Sequence, residues 1–236
     1  MQSAEFAIAV FKFVLLIFSL SVHECSHAWM ASRLGDQTAR MQGRVTLNPM
    51  NHIDIFGTLI IPAIIIFGPL IGFTLFGGIL IGWARPTPVV SRNFAHIRRD
   101  ENLVTLAGPL SNLALALLAA VILLVVIHGF GGGREIVMLT WSGFLLPGVP
   151  STLQAIVLLG IAAVQINIAL LVFNLLPLPP LDGGALLRNL LPYNAVQTYD
   201  RLPFWISWCL MIFVGGYIMR LFLAPALSLV QLVLFH

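Results

Sequence analysis

Residues 6–31 form an apolar run long enough to cross a bilayer as a helix, yet close to its end the run carries His23-Glu24-Cys25-Ser26-His27. Two imidazoles and a carboxylate at membrane depth are costly unless they have a use. On a helix, residues four apart share a face. His23 and His27 can therefore turn their rings toward one metal ion, with Glu24 beside them and not forced to ligate. That is the geometry of a zinc-dependent hydrolase. The five-residue pattern also arises by chance, and the membrane setting is what raises its weight.

The surroundings of this helix follow from composition. The chain is 59% hydrophobic and 9% charged, with a mean hydropathy of +0.98, more apolar than a soluble core of 236 residues requires. The expected fold class is an all-α polytopic membrane protein with four or five transmembrane helices, a re-entrant hairpin and short membrane-surface strands. The net charge of +3 is small and the arginines sit in short runs between apolar segments, which excludes a nucleic-acid surface. Cys25 and Cys209 lie in separate apolar segments and make no disulfide framework. The first run has the position of a signal peptide, but cleavage would discard the His-Glu-His motif, so it reads as a retained helix.

In order along the chain, helix one (6–33) stops at Leu34-Gly35-Asp36, where glycine supplies a C-cap. Residues 37–55 are polar, alternate over 41–47 and are broken by Asn48-Pro49, which predicts a short surface strand or hairpin followed by a loop. Residues 56–82 are apolar, but Gly57, Pro62, Gly68-Pro69, Gly72, Gly77-Gly78 and Gly82 suit a continuous helix badly. A re-entrant excursion turning at Gly68-Pro69 is predicted instead, permitted where protein or a water-filled cavity satisfies its backbone. An extended segment (83–89) and a charged loop (91–102) precede a spanning helix (102–128), which holds Ala107-Gly108-Pro109-Leu110-Ser111-Asn112 near its start. A glycine-rich loop (129–150), a spanning helix (151–176), a surface segment (184–201) and a further span (203–223) follow, and Pro225 sets off an apolar tail too short to cross alone. The whole reads as one membrane-embedded domain, 1–236, with a catalytic core over about 6–184 and C-terminal helices over about 203–236.

Basic residues test the orientation. If 56–82 returns to the side it left, nine of the 12 (Arg33, Arg40, Arg44, Arg85, Arg92, Arg98, Arg99, Arg188 and Arg201) share the cytoplasmic side. A full crossing would separate 85–99 from 33–44. The re-entrant arrangement obeys the positive-inside rule and brings His23, His27 and Asp182 to the same side.

A catalytic zinc takes three protein ligands and keeps a position for water. Glu5 is at the wrong end of helix one, and Asp36 and Asp54 are in the polar loop. Asp182 is the only acid in the apolar second half apart from the loop residues Glu135 and Asp200. Alone, Asp182-Gly183 reads equally as a turn. With both histidines on its side, Asp182 is the better third ligand. Cys25 is turned off the ligand face and reads as packing. His52, in the loop after the metal helix, is a surface histidine by default.

His-Glu-Cys-Ser-His, Ala107 to Asn112 and Asn174-Leu175-Leu176-Pro177-Leu178-Pro179-Pro180-Leu181-Asp182-Gly183-Gly184 together resemble the motif set of the site-2 protease family, polytopic zinc metalloproteases that cut within the membrane. The resemblance covers residues 6–182 and suggests a compact member without a PDZ or CBS domain. It implies one Zn²⁺ per chain held by His23, His27 and Asp182, Glu24 as catalytic base, and Asn174 holding the substrate or its oxyanion. Asn112 is a further candidate for substrate contact, with hydrogen bonding across helices as its alternative.

The function expected is regulated intramembrane proteolysis by a zinc metalloendopeptidase in the cell membrane, with its active site nearer the cytoplasm. Its partners would be the lipid bilayer and a transmembrane protein substrate. A helical substrate must unwind, and an exposed strand at 37–47, or preferably 72–82, could hold it open. The alternative is a zinc-binding membrane scaffold or transporter without hydrolysis, for which Glu24 has no purpose. A prenyl-protein-processing type of protease leaves the Asp182 motif unexplained.

Overall fold

The computed structural model describes residues 2–74, 83–144, 146, 148–201, 203, 206, 209–210 and 215–235. Helix α1 (Gln2–Arg33) is followed by α2 (Thr38–Met41) and α3 (Ile61–Phe67). After an extended stretch come α4 (Ile97–Gly129), α5 (Gly133–Trp141) and α6 (Ser151–Asn174), then α7 (Asp182–Leu190), α8 (Tyr193–Asp200) and α9 (Gly215–Phe235). Three of these, α1, α4 and α6, are long and apolar enough to cross a membrane; the apolar helices at Ile55–Ile71 and Leu221–Phe235 are shorter.

Helix α4 is the centre of the packing, in contact with both α1 and α6, which also touch each other. Leu123 of α4 and Val157 and Val164 of α6 are fully buried in their shared core. The approach is close: a Cβ on Gly160 of α6 would lie 2.8 Å from Leu123 Cδ2. Leu16 and Leu20 of α1 meet Ile166 and Leu170 of α6. Each helix thus turns an apolar stripe inward and leaves another, such as Leu117, Leu118 and Val121 of α4, facing outward, as bilayer helices do.

Several elements depart from the sequence-based expectation. Residues 37–47 form α2 and turns, and among the described residues there is no strand. The cause is Asp36, whose Oδ1 accepts from Thr38 N–H (3.1 Å) and Thr38 Oγ1–H (2.6 Å), starting a helical turn where alternation suggested a strand. Helix α4 begins at Ile97, inside the expected charged loop, because the Asp100 carboxylate accepts the His96 N–H at 3.0 Å. Helix α5 replaces part of the expected loop at 129–150, with Ile136 and Val137 buried against the α4–α6 core. Helix α9 continues through Pro225. Proline removes one backbone bond there without ending the helix, which membrane helices tolerate.

Helix α3 enters through a π-helical turn, Ile55–Ile60, capped by Asp54 Oδ1, which accepts from Phe56 and Gly57 N–H. It leaves through the turn Gly68–Ile71, closed by Gly72 at φ 76°, where a side chain would be strained. Residues 75–82, most of the expected return limb, lie outside the described residues. Trp83 lies back beside the start of this excursion: its N–H donates to Gly57 C=O (3.1 Å) and its carbonyl accepts from Thr58 Oγ1 (2.8 Å). Residues 83–90 then run extended along α1. Arg85 N–H donates to His52 C=O (2.8 Å), and Val90 N–H to Asp36 Oδ2 (2.7 Å).

Asp36 is wholly buried. Burial works to raise its pKa, but hydrogen bonds from Thr38, Val90 and Asn93 outweigh it and hold the carboxyl below the usual carboxylate range. The end of α1 is thereby tied to both the polar loop and the extended segment.

Candidate metal centre

His23 and His27 are one turn apart on α1 and both rings are buried. Asp182 is the first residue of α7, reached from α6 by the proline-rich turn. Its two glycines explain the approach. A Cβ on Gly183 would lie 2.2 Å from Leu175 C=O, and one on Gly184 2.7 Å from Leu178 C, so α7 can fold back this tightly only without side chains there. Tyr199 Oη–H of α8 donates to Gly184 C=O (3.0 Å) and braces the turn.

The three side chains expected to ligate are brought together. His23 Nε2 is 3.2 Å from Asp182 Oδ2, His27 Nε2 is 3.5 Å from Asp182 Oδ1, and the two Nε2 atoms are 3.0 Å apart. Among the described residues they are the group of three able to hold one metal ion.

The far side of each imidazole decides whether a cation fits. His27 Nδ1 is 2.7 Å from Val104 C=O, an acceptor only, so it carries the proton. His23 Nδ1 is 2.7 Å from Asn112 Oδ1. That amide is oriented by its own partners: Asn112 Nδ2 donates to Asn167 Oδ1 (3.0 Å), and Asn167 Nδ2 to Ala163 C=O (2.9 Å). Both Nδ1 atoms therefore donate, and both Nε2 atoms present lone pairs to each other and to a carboxylate. Three converging acceptors repel one another unless a cation lies between them. Asp182 Oδ2 is buried without a hydrogen bond, as such a site requires. Gly108 of α4 adds room, for a Cβ there would be 2.3 Å from His27 Nε2 and 2.6 Å from His23 Nε2. The donor set of two imidazoles and one carboxylate suits zinc and leaves a coordination position free.

Glu24 stands beside the trio and does not join it. Its Oε2 accepts from Thr87 N–H (3.1 Å) and Thr87 Oγ1–H (2.8 Å). Glu24, the trio, Thr87 and Asn174 line one cleft of about 450 Å³ between α1, the extended segment and the α6–α7 turn. A larger cavity of about 610 Å³, mostly apolar, lies apart among Ile8, Ile65, Ile66 and Leu223.

Asn174, expected to contact substrate, borders the cleft, with its Nδ2 donating to Leu170 C=O (2.9 Å). Asn112, assigned the same role, does not border it: the residue has no exposed surface and its amide is spent on His23 and Asn167. His52 is buried, not a surface residue, and its Nε2 lies 2.9 Å from Thr46 C=O, closing the loop after α1.

Sequence reasoning missed Asn167 and Thr87. An asparagine in the middle of an apolar helix was the available signal for the first. For the second it was the Pro86-Thr87-Pro88 spelling, in which only the middle residue keeps a backbone donor.

Helices long and apolar enough to span a membrane, packed round a buried His-His-Asp trio able to hold a metal ion with a glutamate alongside, fit the class of membrane metallohydrolases. A family model for peptidase family M50 matches residues 11–201. Over 179 residues the chain is 40% identical to "Putative zinc metalloprotease YwhC" of Bacillus subtilis, covering 76% of this chain and 68% of that protein. It is 34% identical over 185 residues to "Putative zinc metalloprotease Rip2" of Mycolicibacterium smegmatis, covering 76% and 59%. It is also 31% identical over 213 residues to the protein of that name from Mycobacterium tuberculosis, covering 90% and 66%. No solved structure matches the chain. The chain belongs to peptidase family M50, the site-2 protease family, and is a metalloprotease. A transporter or scaffold without hydrolysis is thereby set aside.

Proposed function

We propose that the chain is an intramembrane zinc metalloendopeptidase that hydrolyses peptide bonds in or near the transmembrane segments of membrane-protein substrates. His23, His27 and Asp182 hold the metal and Glu24 is the catalytic base. The observation that carries this is the convergence of three lone-pair donors, both imidazoles having their Nδ1–H engaged elsewhere, next to a glutamate in the same cleft. Zinc bound there supplies Lewis acidity and makes water a nucleophile near neutral pH.

The chain's own groups do the rest. Glu24 takes the proton of the attacking water and later delivers it to the departing amine nitrogen. Asn112, by accepting from His23 Nδ1, fixes that ring and keeps Nε2 basic, and Val104 C=O does the same for His27. Asn174 contacts the substrate: one amide hydrogen is occupied by Leu170 C=O, leaving the other and Oδ1 for a peptide group.

Placement within the bilayer is supported by helix geometry. His23 is ten residues before the end of α1 at Arg33, about 15 Å of helix, and so lies inside a hydrocarbon layer about 30 Å thick. The nine basic residues that a re-entrant 56–82 would gather on one side support a cytoplasmic location for that end of α1 in a multi-pass cell-membrane protein. The contacts of Trp83 with Gly57 and Thr58 support the re-entrant course.

The experiment is cleavage of a single-span substrate by purified protein in liposomes. New termini should map to the apolar segment, and turnover should stop on chelation and return with zinc. Cleavage confined to unstructured soluble polypeptide would overturn the assignment.

A further inference from the structure

Glu24 is held by one residue from a different part of the chain. Thr87 approaches it with two donors, the backbone N–H at 3.1 Å and Oγ1 at 2.8 Å, both on Oε2. Oγ1 also lies 3.2 Å from Glu24 C=O, but a hydroxyl has one hydrogen and the shorter, charge-assisted contact takes it. Among the described residues no hydrogen bond reaches Oε1.

The segment is built to deliver these donors. Pro86 and Pro88 fix their own φ and lack N–H groups, and Pro88 also excludes Thr87 from the helical region. Thr87 is thus the only backbone donor of residues 86–88, in a stretch that forms neither helix nor strand. The strap is pinned on both sides, by Arg85 N–H on His52 C=O and by Val90 N–H on buried Asp36.

We propose that Thr87 is a positioning residue for the hydrolysis: it fixes Glu24 through Oε2 and leaves Oε1 as the oxygen that accepts the water's proton. This rests on Glu24 being the base. Without the hydroxyl, the carboxylate keeps one donor and gains rotational freedom, and the fraction of molecules with Oε1 aimed at the water falls. The effect belongs to kcat, because Thr87 acts through Glu24 and not through ground-state substrate binding.

The test compares Thr87→Val, Thr87→Ala and Thr87→Ser in the full chain, in liposomes, measuring kcat, KM, zinc content and thermal unfolding, with Glu24→Gln alongside. Thr87→Val and Thr87→Ala should lose about 10- to 100-fold in kcat, the scale of one hydrogen bond to a charged group. KM and zinc content should be unchanged, and Thr87→Ser should recover most of the loss. Thr87→Ala adds no bulk and decides the matter if the valine variant does not fold. An unchanged kcat in the folded variant, or a serine variant as impaired as the alanine one, would overturn the assignment of Thr87. Full activity of Glu24→Gln would instead remove Glu24 as the base, a separate result.

Discussion

Glu24→Gln should lower peptide hydrolysis by about 10²- to 10⁴-fold, the usual contribution of a general acid–base group, while the purified protein keeps its zinc. The amide matches the carboxylate in size, and its oxygen can still accept from Thr87, so the strap over the cleft stays in place. What is lost is the ability to take a proton. The proposed ligands are untouched, since Glu24 lies outside the trio. Turnover and zinc content measured on one preparation separate the two effects. Turnover within tenfold of the unsubstituted chain would show that another group removes the proton, and loss of zinc would show that Glu24 helps to hold it.

Gly108→Ala should abolish activity by a different route. The added Cβ would lie 2.3 Å from His27 Nε2 and 2.6 Å from both Cε1 and Nε2 of His23. Ordinary contacts need more than an ångström beyond that, so either α4 retreats or both rings turn. The rings are tied by their Nδ1 atoms to Asn112 and Val104, which are themselves on α4, and so cannot turn without losing those bonds. Displacing reacting groups by about 1 Å can cost 10²-fold, and displaced ligands also weaken the metal. Bound zinc should fall together with activity while the helical content persists. An alanine variant with full zinc and turnover would mean that α4 does not press on the imidazoles as described.

The grouping of His23, His27 and Asp182 was legible because helix periodicity and membrane cost act on short sequence spans. His23 and His27 share a face by spacing alone, and Asp182 stood out as an acid in an apolar half of the chain. The long helices α1, α4 and α6 were legible for the same reason: an apolar run of spanning length has few alternatives in lipid. What escaped depends on contacts between distant segments. Residues 41–47 alternate like a strand, but buried Asp36 organises the loop through Thr38, Val90 and Asn93, partners that pattern alone does not reveal. Asn112 has the composition of a substrate contact and the position of a brace, and only the location of His23 behind it distinguishes the two. Thr87 carries no catalytic signature in its residue type, and its meaning comes from the 2.8 Å contact with a residue 63 positions earlier.

The central claim is that His23, His27 and Asp182 hold one zinc ion with a position left for water. Zinc K-edge X-ray absorption on the purified chain tests it most directly. The spectrum should show one zinc per chain with a shell of nitrogen and oxygen only, at about 2.0–2.2 Å, and the multiple scattering of two imidazoles. A sulfur shell at about 2.3 Å, which would bring Cys25 into the site, or a single imidazole, would contradict it.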